Sequence, residues 1–114
     1  MKIILRFVEV TTSIHHPRRG GAGREVKLPR HEVLLDGMKI GEVERAMMTR
    51  ETRTAGRVYV NSRWESPGWE YRSVGRFGST ECYSRIDGVE RLLREQGYRW
   101  PEDERLAKTA RVER

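Results

Sequence analysis

The sequence predicts an α+β fold: an antiparallel sheet of four to five strands packed against one main α-helix, with a weak C-terminal helix. Three observations carry it. Several segments rich in β-branched and aromatic residues come first in the chain. An Asp36-Gly37 turn sits between two alternating apolar runs. One amphipathic helical pattern follows them, at about 85–96. Strands followed by a helix suit one layer of sheet covered by one layer of helix.

Each element has its own warrant. The run "IILRFVEVTT" (3–12) is a strand, with Ile3, Leu5 and Phe7 on one parity and Ile4, Val8 and Val10 on the other. The stretch "SIHHPRRGGAGREVKLPRH" follows, and 13–30 reads as a long flexible Arg/Gly-rich loop. "HEVLLDGMKIGEVER" is a hairpin whose turn pairs Leu35 with Met38 and Val33 with Ile40, with Gly41 as a bulge position. If that register continues, His31 faces Glu42. "RAMMTRETRTAG" reads as a polar connection. "GRVYVNSRWESPGWEYRSVGRF" is a second hairpin closed at "ESPG", because Pro-Gly is turn chemistry.

The helix begins at Ser84 as N-cap, with Asp87 three positions on as in a capping box. Ile86, Val89, Leu92 and Leu93 form its apolar face. Gly97 and Tyr98 suit a Schellman stop. Gly88 inside it weakens the helix by about 1 kcal/mol against Ala, which a close strand contact would explain and chance would explain equally. From Pro101, "PEDERLAKTARVER" has acids first and bases last, as a helix dipole prefers, but a thin apolar stripe. The chain divides into one α+β domain over 1–100 and a helical tail over 101–114.

Composition bounds the function. Of 114 residues 36% are apolar and 35% charged. The net charge is +6, from 23 basic and 17 acidic residues, and 19 of the 23 are arginine. Arginine's planar fork matches phosphate and guanine edges, and a basic balance favours a polyanionic partner. A GC-rich coding bias produces the same Arg-rich, Asn-poor composition. Cys82 is the single cysteine, so no internal disulfide forms, and it reads as a structural thiol. "MKIILRFVEV" lacks the pattern of a secretory signal, and nothing is long enough to span a bilayer. A cytoplasmic protein without membrane contact is the expectation.

Two regions carry candidate chemistry. In the loop, Arg18, Arg19 and Arg24 surround glycines, as in segments that track a nucleic-acid backbone. The loop reads first as a flexible linker and second as such an arm. In the second hairpin, Arg57, Arg63, Arg72 and Arg76 alternate with aromatic residues that include Tyr59 and Tyr71. Basic residues hold phosphates and aromatic faces stack on bases, although the same alternation describes an ordinary sheet with aromatics inward. Trp64 shares parity with Val58 and Val60 and reads as core. His15, His16 and His31 do not match zinc-ligand spacing, so no metal and no cofactor are expected. His31 with Glu42 is the one acid–base pair a small basic ribonuclease could use, and a cross-strand ion pair is the simpler reading.

The stretch "VLLDGMKIGEVERAMM…GRVYVNSRWE…SRIDGVERLL", within 32–96, resembles small proteins of actinobacteria and their phages with a hairpin–strand–helix unit. It is also similar to the three-strand-plus-helix DNA-binding domains of plant ethylene-response factors and of integrase arms. The resemblance implies a sheet-based nucleic-acid binder from a mobile element and carries over no catalytic residue. The sequence therefore points to a non-enzymatic accessory protein that binds nucleic acid, DNA before RNA. Its candidate contacts are Arg18, Arg19, Arg24, Arg57, Tyr59, Arg63, Tyr71, Arg72 and Arg76. The alternatives are a modulator of a host protein and, third, a small ribonuclease.

Overall fold

The computed structural model describes residues 1–16, 22–53 and 60–113. The elements are β1 (Ile3–His15), β2 (Arg24–Leu35), β3 (Met38–Arg53), β4 (Val60–Ser73), β5 (Thr80–Cys82), α1 (Arg85–Glu95), α2 (Glu102–Lys108) and β6 (Arg111–Glu113). The α+β class holds, but the sheet is larger than the expected four to five strands. Among the described residues it has six, in the order β5-β4-β3-β2-β1-β6. It is also mixed, because β6 lies parallel to β1 while every other pair is antiparallel.

Four sequence expectations are corrected here. Most of the anticipated loop at 13–30 is strand: β1 runs to His15, and β2 starts at Arg24, opposite it. The polar connection "RAMMTRETR" is the far half of β3. The "ESPG" turn does not form, because β4 runs straight through Ser66-Pro67-Gly68, with Pro67 opposite Met47. Long pairing partners outweigh local turn preference. The second hairpin is thus β3–β4, and residues 54–59 that join its strands lie outside the described residues. At the C-terminus the helix ends at Lys108 rather than running on, and the chain returns as β6 along the outer edge of β1.

The turn chemistry of β2–β3 is as expected: Asp36 (φ 50°) and Gly37 (φ 85°) both take positive φ. The register then slips. Leu35 faces Met38 and Leu34 faces Lys39, but Val33 faces Gly41, so Ile40 is the extra residue of a bulge. His31 consequently faces Val43, and Glu42 faces Glu32. The anticipated His31–Glu42 pair does not exist, since neighbours along a strand point to opposite faces.

One face of the sheet is covered. Ile3, Leu5, Val33 and Val43 meet Val89, Leu92 and Leu93 of α1 and Leu106 and Ala107 of α2 in one core. Burying each large aliphatic side chain stabilises by about 1.5–3 kcal/mol. The apolar face of α1 centres on Gly88 and Leu92, so Ile86 is exposed, contrary to expectation. The caps are those the sequence implies. Ser84 Oγ accepts from Asp87 N at 3.0 Å. Tyr98 N donates to Leu93 O at 3.1 Å and Gly97 N to Arg94 O at 3.0 Å, closing the Schellman motif.

α2 belongs to the same core, and an ion pair between buried Asp103 and half-exposed Arg94 joins it to α1. Asp103 is 0% exposed, and Arg94 Nε donates to it at 2.6 Å. That hydrogen bond outweighs desolvation and holds the Asp103 carboxyl below its ordinary range.

Candidate nucleic-acid interface

The β2–β3 ladder stops at Arg30–Glu44. Beyond that pair the sheet forks into two long two-stranded ribbons. One consists of Glu9–His15 of β1 with Arg24–Arg30 of β2. The other consists of Arg45–Arg53 of β3 with the Val60–Trp69 part of β4. The helices do not reach this far, so Val10, Thr12, Ile14, Thr49 and Glu65 are exposed on the side that carries helices nearer the core. Val26, on the other side, is only 7% exposed. β1 approaches β4 although two strands lie between them in the sheet. The sheet therefore curls.

The charge distribution follows this fork. Residues 9–30 contain five basic and two acidic residues, and so do residues 45–69. The remainder of the chain holds 13 of each sign. The whole +6 thus belongs to the two ribbon segments and their connections, while the body is neutral.

The predicted contact residues fall unevenly on this frame. Arg18, Arg19, Arg57 and Tyr59 lie outside the described residues. Arg24 is exposed at the start of β2, opposite His15. Arg63 is exposed on the other ribbon and pairs with Glu51 at 3.4 Å. Tyr71 and Arg72 are neighbours in β4 and point to opposite faces. Tyr71 lies half-buried under α1, with the Arg91 guanidinium 5.9 Å from its ring centroid, so it is a packing residue. Arg72 donates to Glu42 on the open face. Arg76 is exposed after β4 and, with Lys39, Glu42 and Arg72, borders a shallow pocket of about 230 Å³. Trp64 is half-buried on β4, opposite Arg50, and is not part of the core. Among the described residues, no single surface collects the candidates as alternation along the chain suggested.

The ribbon cations that reading missed are Lys27, Arg30, Arg45, Arg50 and Arg53. A running charge count would have found them, had 45–53 not been taken for a connection.

The open face is an ionic lattice. Arg30 reaches Glu9 at 3.2 Å, Lys39 reaches Glu42 at 3.5 Å, and Arg50 reaches Glu81 at 2.6 Å. Arg6 bonds Glu32. Burial raises the Glu42 carboxyl, but the Arg72 hydrogen bond and the charges of Lys39 and Arg30 outweigh this and hold it low. On the covered face, burial and the Asp87 charge push the Cys82 thiol up to about 11, which leaves little thiolate at neutral pH. Among the described residues, no three His, Cys, Asp or Glu side chains gather where a metal could sit. His15 is opposite Arg24, seven residues along β2 from His31 or about 23 Å at strand rise. No described helix is long and apolar enough to cross a membrane.

No family model, no curated protein and no solved structure matches this chain.

Proposed function

We propose that this protein binds nucleic acid through its two β-ribbons, as a non-enzymatic accessory protein that prefers duplex DNA to RNA. The observation that supports it most is the confinement of the net charge to the ribbon segments. A polyanion gains by neutralising phosphates with clustered Lys and Arg and releasing counterions. A two-stranded ribbon fits the major groove of B-form DNA, whereas the deep, narrow major groove of A-form RNA excludes it. Arg24, Lys27 and Arg63 are the exposed contacts in this reading, with Arg18, Arg19 and Arg57 on the connections between the ribbon strands.

The test is binding to labelled duplex DNA, single-stranded DNA and RNA at about 50 and 200 mM salt. Four phosphate contacts predict a loss of about a hundredfold between the two conditions. The triple variant Arg24→Ala/Lys27→Ala/Arg63→Ala reduces the salt slope by about three. Arg99→Ala/Arg105→Ala/Lys108→Ala removes the same charge from the body and leaves the slope in place. Equal losses in both variants, or no binding at about 50 mM salt, would overturn the reading.

One set of observations favours a protein partner instead. Phe77, Tyr83 and Trp100 are strongly exposed, at 102%, 89% and 74%. Aromatic residues of this kind anchor protein interfaces. A stoichiometric complex that survives nuclease and high salt would support that alternative.

A further inference from the structure

Two glutamates face each other where the sheet forks. Glu44 on β3 lies directly opposite Glu70 on β4. On its other side Glu44 faces Arg30, the last residue of β2 to pair with β3. On its other side Glu70 faces Glu81 of β5. Directly opposite each other on the open face, the Glu44 and Glu70 side chains lie within reach of a shared proton. Two carboxylates offer only acceptors, so a hydrogen bond between them needs a proton on one of them. The pair borders a small recess with Glu42, Tyr71, Arg72 and Ser79.

The nearby cations are engaged elsewhere. Arg72 bonds Glu42, Lys39 pairs with Glu32 and Glu42, Arg50 pairs with Glu81, and Arg30 pairs with Glu9 and Glu42. The groups facing the pair are thus Arg30 and Glu32 from β2, Glu42 and Arg50 from β3, Arg72 from β4 and Glu81 from β5. The helices cover the opposite face and present nothing to it.

We infer that the Glu44–Glu70 pair is a proton-operated latch at the root of the β3–β4 ribbon. With one shared proton it ties the two strands together. When that proton leaves, two like charges stand opposite each other in a partly desolvated row, and the root loosens. Burial, then the Glu44 hydrogen bond and charge, raise Glu70 from the ordinary 4.5 to about 7. The folded chain therefore holds this proton more tightly than the unfolded one. Stability from the latch is full below about pH 4.5, falls as pH rises toward 7, and is lost above it. The inference concerns the fold and stands whatever the ribbons bind.

The experiment compares the full chain with Glu70→Gln, whose amide keeps a donor for Glu44 without a titrating proton. Thermal midpoints are measured from about pH 5 to 8, together with hydrogen exchange corrected for its intrinsic pH dependence. Wild-type midpoints should fall across this range, and ladder amides beside Glu44 and Glu70 should open on the order of tenfold more per unit of pH. Glu70→Gln should flatten both trends. Glu44→Gln should do the same, which covers the case in which the first variant folds poorly. Glu81→Gln removes a neighbouring charge but not the pair, and should keep the wild-type slope. Carbon-13 titration of the glutamate carboxyls should show a midpoint near neutrality that disappears in Glu70→Gln. Wild-type slopes in both pair variants, or ordinary midpoints for every glutamate, would overturn the inference.

Discussion

Gly41 and Gly88 show how single residues set the distance between sheet and helix. A Cβ on Gly41 would lie 2.5 Å from the Arg72 carbonyl oxygen and 2.6 Å from a Leu92 methyl. A Cβ on Gly88 would lie 2.8 Å from Val43 Cγ1 and 3.2 Å from Cys82 Sγ. Gly41→Ala meets backbone, which cannot turn aside, and should destabilise by about 1–3 kcal/mol in chemical denaturation. Gly88→Ala meets the stiff, buried Val43 side chain rather than backbone and recovers about 1 kcal/mol of helix propensity, so its loss should be smaller. Leu92→Ala should remove about 2–5 kcal/mol, because its neighbours cannot fill the space. The role of Gly88 was half legible, since an interior helix glycine fits either a close neighbour or chance, and the contact with Val43 decides it. The register at Gly41 was half legible: the bulge was anticipated, but not that it would displace Ile40 and turn His31 away from Glu42.

At the scale of elements, the ends of α1 were readable and the extents of the strands were not. Ser84, Gly97 and Tyr98 act within a few residues, so local chemistry suffices. β1–β4 exceed what local patterning supports, because each far half is held by one partner strand rather than by a core. Pro29 and Pro67 mark those stretches. A proline cannot donate to a ladder, so it is tolerated where a strand has a neighbour on one side only. β3 joins β2 only from Arg30 inward, and β5 joins β4 only at Trp69–Tyr71. The α1–α2 joint makes a separate prediction. Arg94→Ala leaves Asp103 buried without its cation, so α2 and β6 should become the first segment released in limited proteolysis. The wild-type joint should hold through neutral pH and weaken in acid. Its carboxyl is depressed in the fold, so its contribution is present above the ordinary aspartate value and lost as pH falls below it.

For the whole molecule, the neutral body and the charged ribbons are distinct in place. The extents of 47 × 34 × 25 Å describe an elongated particle whose ribbons extend past the helices. On the nucleic-acid reading, protonation of the latch removes a negative charge at the ribbon root. DNA affinity at fixed salt should then rise as pH drops from about 8 to 6. Glu70→Gln should bind with little pH dependence over that range. A wild type and variant with the same pH profile would separate the latch from binding without touching the ribbon proposal itself.

The sequence by itself determined the α+β class, the Asp-Gly turn, the capped helix, and the amount of net charge. These depend on neighbours within about a turn of chain or on counting. Tertiary structure alone decided how far the strands run, which face each charge takes, and that β6 closes the sheet edge. It also brought Glu44 and Glu70 together, 26 residues apart in the chain. Strand pairing is non-local, and a one-residue slip exchanges every face beyond it. No pattern read along the chain carries that register.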